Sequence, residues 1–458
     1  MNSYVDRKYI IIILILLSAL LFITKLFYMQ IIDDRYKLSA ESNSRRDVII
    51  YPARGLVYDR NQNLLVSNQA AYDIMVIPRQ MESFDTIELC RLLGIERQDF
   101  DERIKKAKEY SYYVPSVFMK QVPAEISSVF SEKLFLYNGF YLQSRTLRKY
   151  PKNIASHVLG YVGEVSKKDV ENSDYYVSGD YIGISGIEKT YEEVLRGEKG
   201  HKYYMVDVHN RITGEWEAGR FDEQSVLGTN ITLTIDNELQ EYGEKLMRSF
   251  SGSIVAIEPG TGEILSLVSA PSFPPDLLVG RGLSANYNKL ATDTLNPVFN
   301  RAVAASYPPG STFKIINGLI SLEEGVSSPS TGFYCDLGYY YRGIHVGCHS
   351  HDSPLDLVGA IQNSCNAYFC NILGRILEDK KFGRTDSAYV NWKNHVESFG
   401  FGNRLGTDIS GELKGFVPEP AYYDRYYGVG HWNFLTVLSL AIGQGELGIT
   451  PLQMANMT

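Results

Sequence analysis

The strongest constraint on this chain lies near its start. Residues 9–28 read YIIIILILLSALLFITKLFY, apolar apart from Ser18, Thr24 and Lys25. About 20 residues rising ~1.5 Å each match the ~30 Å hydrocarbon core of a bilayer, and a helix apolar on every side has no face to turn to water. Lys25 sits near one end, where its long side chain can snorkel to the interface. Arg7 and Lys8 precede the run, so the N-terminus is expected in the cytoplasm and the remainder outside it. A cleaved signal peptide is the rival, but no A-x-A-like site follows. The expectation is a cytoplasmic tail at 1–8 and an uncleaved single-pass anchor at 9–28.

Export decides how the cysteines are read. Five in 458 residues are few for an exported chain, so ordinary hydrophobic cores must hold it, and the length implies two or three domains. Cys90 and Cys370 show no evident partner. Cys335 and Cys348 bracket a short Tyr/Gly-rich segment, and His349 and His351 follow. Three readings are open: a hairpin disulfide between Cys335 and Cys348; a zinc site drawing on Cys335, Cys348 and His351, whose ligand types suit zinc though the spacing matches no closed motif; or free thiols. A net charge of −8 with no long Lys/Arg run argues against nucleic acid as a partner.

After the anchor comes a short amphipathic stretch to about Asn43. The segment RRDVIIYPARGLVYDRNQNLLVSNQAAYDIMVIP then alternates apolar and polar residues around a turn at 59–62, the pattern of a hairpin. TIELCRLLGIERQDFDERIKKAKEY has helical periodicity, and GIEKTYEEVLRGEKG ends as a helix closed by glycine. GEWEAGRFDEQSVLGTN is polar and glycine-bearing, a linker candidate that sets a boundary near residue 226. Beyond it NITLTIDNELQEYGEKLMRSF reads as a strand and helix, and GSIVAIEPGTGEILSLVSA as two strands joined through Pro259-Gly260-Thr261-Gly262. This order predicts an α+β domain, an antiparallel sheet packed against helices.

The chemistry concentrates in SYPPGSTFKIINGLISLEEG, residues 306–325. On a helix Ser311 and Lys314 share a face, with Cβ atoms ~5–6 Å apart. Gly318 and Ser321 continue that stripe, while Phe313, Ile316, Leu319, Ile320 and Leu322 make the rest apolar. Burial disfavours an ammonium and lowers its pKa, and a neutral amine beside a hydroxyl activates a serine nucleophile. No other S-x-x-K occurs in the chain. The bland alternative is a capping serine and a surface lysine. A second element, QNSCNAYF, places Ser364 and Asn366 at i, i+2 in a turn between two helical runs, where either is equally suited to cap a helix.

S-x-x-K followed by S-x-N resembles the active-site pattern of penicillin-binding proteins and serine β-lactamases. PARGLVYDRNQNLLVSN, RKYPKNIASHVLGYVG, GISGIEKTYEEVLRG, NRAVAASYPPGSTFK and AIGQGELGITPLQMA are similar to recurrent motifs of class B penicillin-binding proteins, nearest their elongation-type branch, and the likeness runs from the anchor to residue 458. The resemblance implies a non-catalytic pedestal with a small head region over 29–226 and a transpeptidase domain over 227–458. It implies a D,D-transpeptidase of the inner membrane, facing the periplasm, that cross-links peptidoglycan. Ser311 would attack the penultimate D-Ala carbonyl of a D-Ala-D-Ala stem peptide, Lys314 would take its proton, Ser364 would relay it to the leaving amine, and Asn366 would hold the substrate amide. β-Lactams would acylate Ser311, no cofactor or metal would be needed, and a SEDS-type glycan polymerase would be the partner.

One departure stands out. The family's K-T-G strand is absent, and the only K-T, in KTY at 189–191, lies in the other domain. The expectation is an incomplete record of a longer protein, inactive or nearly so as written, since one lost oxyanion donor costs ~10²–10³ in rate. The rivals are a β-lactam sensor or hydrolase sharing Ser311 and Lys314, and a non-catalytic scaffold for the polymerase. A bifunctional class A protein would carry a glycosyltransferase domain with an E-D-x-x-F motif just after the anchor; the one such string, EDKKF at 378–382, lies far beyond it.

Overall fold

The computed structural model describes residues 3–27, 45–207 and 212–458, and the side chains among them other than those of 3–11 and 26. The amphipathic stretch expected up to Asn43 lies outside them. Helix α1 (Ser3–Phe27) contains the apolar run as far as Phe27, and its large apolar side chains from Ile12 to Ile23, with Phe27, are exposed. Among the described residues no helix is long and apolar enough to cross a membrane, so a span over 9–28 is not shown.

Two compact units divide the chain. One takes residues 1–55, 68–147 and 193–229, the other 56–67, 148–192 and 230–458. Sequence texture marks one change near residue 226. It does not register short returns of the chain, because a few residues joining another core leave no shift in composition.

The first unit holds a three-stranded antiparallel sheet of β1 (Arg45–Ile50), β2 (Gly200–Val206) and β3 (Ile212–Glu215), with β2 central. Most of the stretch expected as a linker is tied down here: β3 pairs with β2, and bridges join Glu198 to Val226 and His201 to Glu223. Its second part pairs residues 72–76 with the strand Ser116–Val122. The amphipathic helices Thr86–Leu93, Arg97–Tyr110 and Ala124–Lys133 belong to the same part, and a core of Phe100, Phe118, Phe130, Tyr137 and Phe140 fills it. Asp85 caps the first of these helices and Gly94, at φ 65°, closes it, the start and stop that the pattern predicts.

In the second unit Val57–Tyr58 and residues 64–66 make the expected hairpin, turned around buried Asp59, whose Oδ1 accepts from the N–H groups of Asn61 and Asn63. Helix α2 (Asn237–Leu246) lies on the antiparallel pair β4 (Gly252–Ile257) and β5 (Ile264–Ala270). A Cβ on Gly243 would stand 2.9 Å from Val268 Cγ2, so glycine sets the helix–strand distance. The main core gathers α3 (Lys314–Glu323), the hairpin β6 (Gly338–Tyr341) and β7 (Ile344–Gly347), α4 (Leu357–Gln362), α5 (Asn366–Leu377) and α6 (Thr385–Ser398) around Phe313, Ile316, Tyr368, Phe369, Trp392 and Leu440. The unit is α+β, with α5 buried along nearly its whole length.

Candidate active site

Ser311 is exposed and lies in a 3₁₀ turn, Gly310–Phe313, that runs into α3 at Lys314. The expected helix begins at Lys314, and Ser311 stands at its N-terminal end. The tighter turn still brings i and i+3 into line, and the Lys314 N–H donates to the Ser311 carbonyl. Gly310 has φ 62°, a conformation that strains residues with a Cβ. Behind the turn stands Gly443: its carbonyl accepts from the Gly310 N–H at 2.7 Å, and a Cβ there would fall 2.2 Å from Gly310 O.

The helix is not buried all round. Ile315 and Leu319 are 42% and 47% exposed, whereas the stripe carrying Lys314, Gly318 and Ser321 is the buried one. It faces α4 and α5, and a Cβ on Gly318 would approach Leu357 Cδ1 to 3.2 Å. The polar groups lie where the helix meets its neighbours, and two apolar ones lie outside. Asn317, buried, donates to the carbonyls of Leu440 and Ala441 at 3.1 Å and accepts from Trp392 Nε1 at 2.8 Å, fixing α3 to the segment before Gly443.

Lys314 is 2% exposed. Its Nζ donates to the Ser364 carbonyl at 2.7 Å, to Ser364 Oγ at 3.0 Å and to Asn366 Oδ1 at 2.6 Å, and it stands 5.8 Å from the centre of the Phe369 ring. Among the described residues it makes no hydrogen bond to Ser311 in this state. Its three acceptors are formally neutral. Burial lowers its pKa below the usual lysine range, against a smaller opposing pull from the thiols of Cys348, Cys365 and Cys370.

Ser364 occupies the turn between α4 and α5 at φ 48°, a strained value for a serine, of the kind that gathers at functional sites. Cys365, rather than Ser364 or Asn366, caps α5, its Sγ accepting from the Tyr368 N–H at 3.4 Å. Asn366 is held three ways: Oδ1 by Lys314, Nδ2 by donation to Gly347 O at 2.8 Å, and its backbone N–H by Cys348 Sγ at 3.4 Å. Lys314, Ser364 and Asn366 thus form one hydrogen-bonded group, and Ser311 stands one turn before Lys314 in the chain.

The cysteine segment converges on the same element. Cys335 and Cys348 are free thiols, as is Cys365. Their sulfurs and a ring nitrogen of His351 all lie within 4.8 Å of one another. A tetrahedron with ~2.3 Å zinc–sulfur bonds has edges of roughly 3.8 Å, so a small contraction would close these donors on an ion. His351 Nδ1 sits 2.7 Å from the Asp352 carbonyl and its Nε2 3.6 Å from Cys348 Sγ. A backbone carbonyl on one ring nitrogen is the usual way a ligating imidazole is oriented. Burial by itself would raise the Cys348 thiol, but the Asn366 N–H, His351 and the neighbouring thiols outweigh it and lower its pKa, favouring the thiolate that metals bind.

Cys365 is the member that sequence reading missed. It lies between the two residues singled out for catalysis and was read only as their spacer. Three thiols and a histidine within residues 335–365 are the available signal. Asn317 and Gly443 left no such trace.

Two family models cover most of the chain: the penicillin-binding protein dimerisation domain over residues 49–233 and the penicillin-binding protein transpeptidase domain over 252–458. A peptidoglycan D,D-transpeptidase MrdA of Acinetobacter baumannii is 30% identical across 99% of this chain and 67% of its own length. The penicillin-binding protein PBP2 of Helicobacter pylori, solved in complex with MreC, aligns over 90% of this chain and 76% of its own with a TM-score of 0.73 and 25% identity. A chain of a peptidoglycan synthase complex, from a structure on the coordination of polymerization and crosslinking, aligns over 98% and 76% with a TM-score of 0.65 and 27% identity. With a buried lysine holding the S-x-N turn beside an exposed serine, and both domains matched in order, the chain belongs to the class B, elongation-type penicillin-binding proteins.

Proposed function

We propose that this chain is a peptidoglycan D,D-transpeptidase of cell-wall elongation, working through an acyl-enzyme on Ser311. The observation that carries the assignment of roles is the Lys314 side chain, buried, paired with no carboxylate and bonded to both Ser364 and Asn366. Unprotonated, Lys314 takes the Ser311 proton as Oγ attacks the penultimate D-Ala carbonyl. Ser364 Oγ passes a proton to the departing D-Ala amine, and the Asn366 carboxamide orients the stem-peptide amide. An amino group of a neighbouring stem then takes the acyl group. β-Lactams mimic the donor and stop at the acyl-enzyme.

Residues 29–226 serve as the pedestal and 227–458 as the transpeptidase domain. The exposed apolar side chains of α1 support a single-pass anchor at 9–28, Arg7 and Lys8 before it favour an N-terminus inside, and the similar chain from a structure on coordinated polymerization and crosslinking supports a glycan polymerase, of SEDS type, as partner. Cys335, Cys348, His351 and Cys365 suit a structural zinc ion, which would supply a cross-link between the β6–β7 hairpin and the start of α5; no step of acyl transfer uses it.

The test is labelling of the full-length gene product with a fluorescent penicillin, beside Ser311→Ala. A stable label that vanishes in the variant is expected. Absence of label from the folded parent protein overturns the catalytic reading and leaves the scaffold. Rapid release of the label points to a hydrolase.

A further inference from the structure

The thiol cluster does more than decorate the domain, because its sulfurs touch the groups that hold the S-x-N turn. Cys348 Sγ accepts the Asn366 backbone N–H, and the adjacent Gly347 carbonyl accepts from Asn366 Nδ2. The other end of that same carboxamide receives Lys314 Nζ at 2.6 Å. Cys365 lies covalently between Ser364 and Asn366 and caps α5. A change in bonding at Cys348 is therefore two contacts away from the lysine.

The three thiols also differ in access. Cys335 and Cys348 are half-buried at the two ends of the β6–β7 hairpin, whereas Cys365 is buried beneath them. All three sulfurs lie within 4.8 Å of one another, close enough for a disulfide after a modest shift. Exported proteins meet disulfide compounds that cytosolic ones do not.

We propose that Cys335, Cys348, His351 and Cys365 form a zinc–thiol redox switch on acyl transfer, closed by metal and opened by oxidation of the Cys335–Cys348 pair. The proposal rests on the zinc assignment above. The oxidant is a small-molecule disulfide, RSSR. Cys348 sulfur attacks one of its sulfurs, forming a mixed disulfide and releasing one RS⁻. Cys335 sulfur then attacks Cys348, closing the Cys335–Cys348 bond and releasing the second RS⁻. Two protein thiolates lose two electrons, RSSR gains them, and zinc, left with Cys365 and His351 alone, dissociates as Zn²⁺ while Cys365 takes up a proton. With Cys348 drawn toward Cys335, the Asn366 N–H loses its acceptor and the carboxamide slackens its hold on Lys314.

The experiment uses the full-length gene product, isolated reduced and loaded with zinc, and treated with oxidised glutathione. Released zinc is read with a chromogenic chelator, the disulfide by peptide mass spectrometry, and Ser311 acylation as the rate of fluorescent-penicillin labelling. The expected result is one zinc lost per chain, a Cys335–Cys348 linkage, and labelling slowed at least tenfold, restored by dithiothreitol with added zinc. In the double variant Cys335→Asp/Cys348→Asp, which keeps ligand oxygens but removes both half-buried thiols, the labelling rate should not respond to the oxidant, whatever its basal value. A mapped Cys335–Cys348 disulfide with labelling at the reduced rate overturns the switch and leaves the zinc assignment standing. Reduced protein that binds no zinc but labels normally overturns both, with the transpeptidase reading intact. Protein that labels in neither state removes the transpeptidase reading itself.

Discussion

Two lysines lie buried in the same unit, and they have been put to opposite uses. Lys314 is surrounded by a carbonyl, a hydroxyl and a carboxamide. Lys393, on α6, reaches Glu397 at 2.5 Å and Glu419 at 2.9 Å. Burial lowers both, but at Lys393 the two carboxylates outweigh it and the pKa rises, whereas at Lys314 nothing anionic opposes it strongly and the pKa falls. Lys393 is held as a cation, whereas Lys314 gives up its proton more readily, as the proposed base requires. The difference lies in the neighbours, since depth is similar.

The pH dependences follow with opposite signs. On the proposed mechanism acylation of Ser311 needs neutral Lys314, so its rate should climb as pH rises through a folded pKa below 10.5. Lys314 binds its proton less tightly folded than unfolded, so its effect on stability improves with pH across that same window. Lys393 contributes stability that is complete below its unfolded pKa of ~10.4 and lost as pH climbs through its higher folded value.

The contrast breaks most sharply at Lys314→Met, which should slow penicillin acylation about 10³-fold while leaving a folded protein by circular dichroism. Gly443→Ala tests the support beneath the serine. Its Cβ would meet Gly310 O at 2.2 Å, and a displacement of order 1 Å costs roughly 10² in rate, measured as the same acylation rate. Asn366→Asp turns Lys314 toward the Lys393 condition. A carboxylate there favours the ammonium, and each unit of pKa rise removes about tenfold of neutral amine, so acylation at neutral pH should fall roughly tenfold and its pH profile move upward. An unmoved profile would sink the idea that the missing carboxylate sets the base. Lys393→Met is the smallest change: Glu419 is largely exposed, so about 1 kcal/mol of stability should be lost in urea unfolding, with the acylation profile unaltered.

What was legible in the chain was local. Ser311 and Lys314 are three residues apart, and the strands of β4 and β5 are joined by a tight turn, so spacing carries their geometry. Alternation groups Arg45–Ile50 with the hairpin that follows, but its partner is Gly200–Val206, since alternation does not record which distant strand completes a sheet. The exposure of Ile315 and Leu319 could not be read from an apolar helix, because which face packs is decided by α4 and α5. Cys365 has the least chance of being seen, since in the sequence it is only the middle residue of S-x-N and becomes a candidate ligand only when the β6–β7 hairpin folds over it.

The contacts behind Ser311 also have a consequence in time. Asn317 takes its acceptors from Leu440 and Ala441, 123 and 124 residues onward, and Gly310 leans on Gly443. At ~5–20 residues per second, ~6–25 s of synthesis separate a finished serine turn from the segment that braces it. A chain still being synthesised therefore holds Ser311 without these contacts until residues 440–443 have been made. Competence to be acylated arrives late, after the segment around Gly443 has been made and docked.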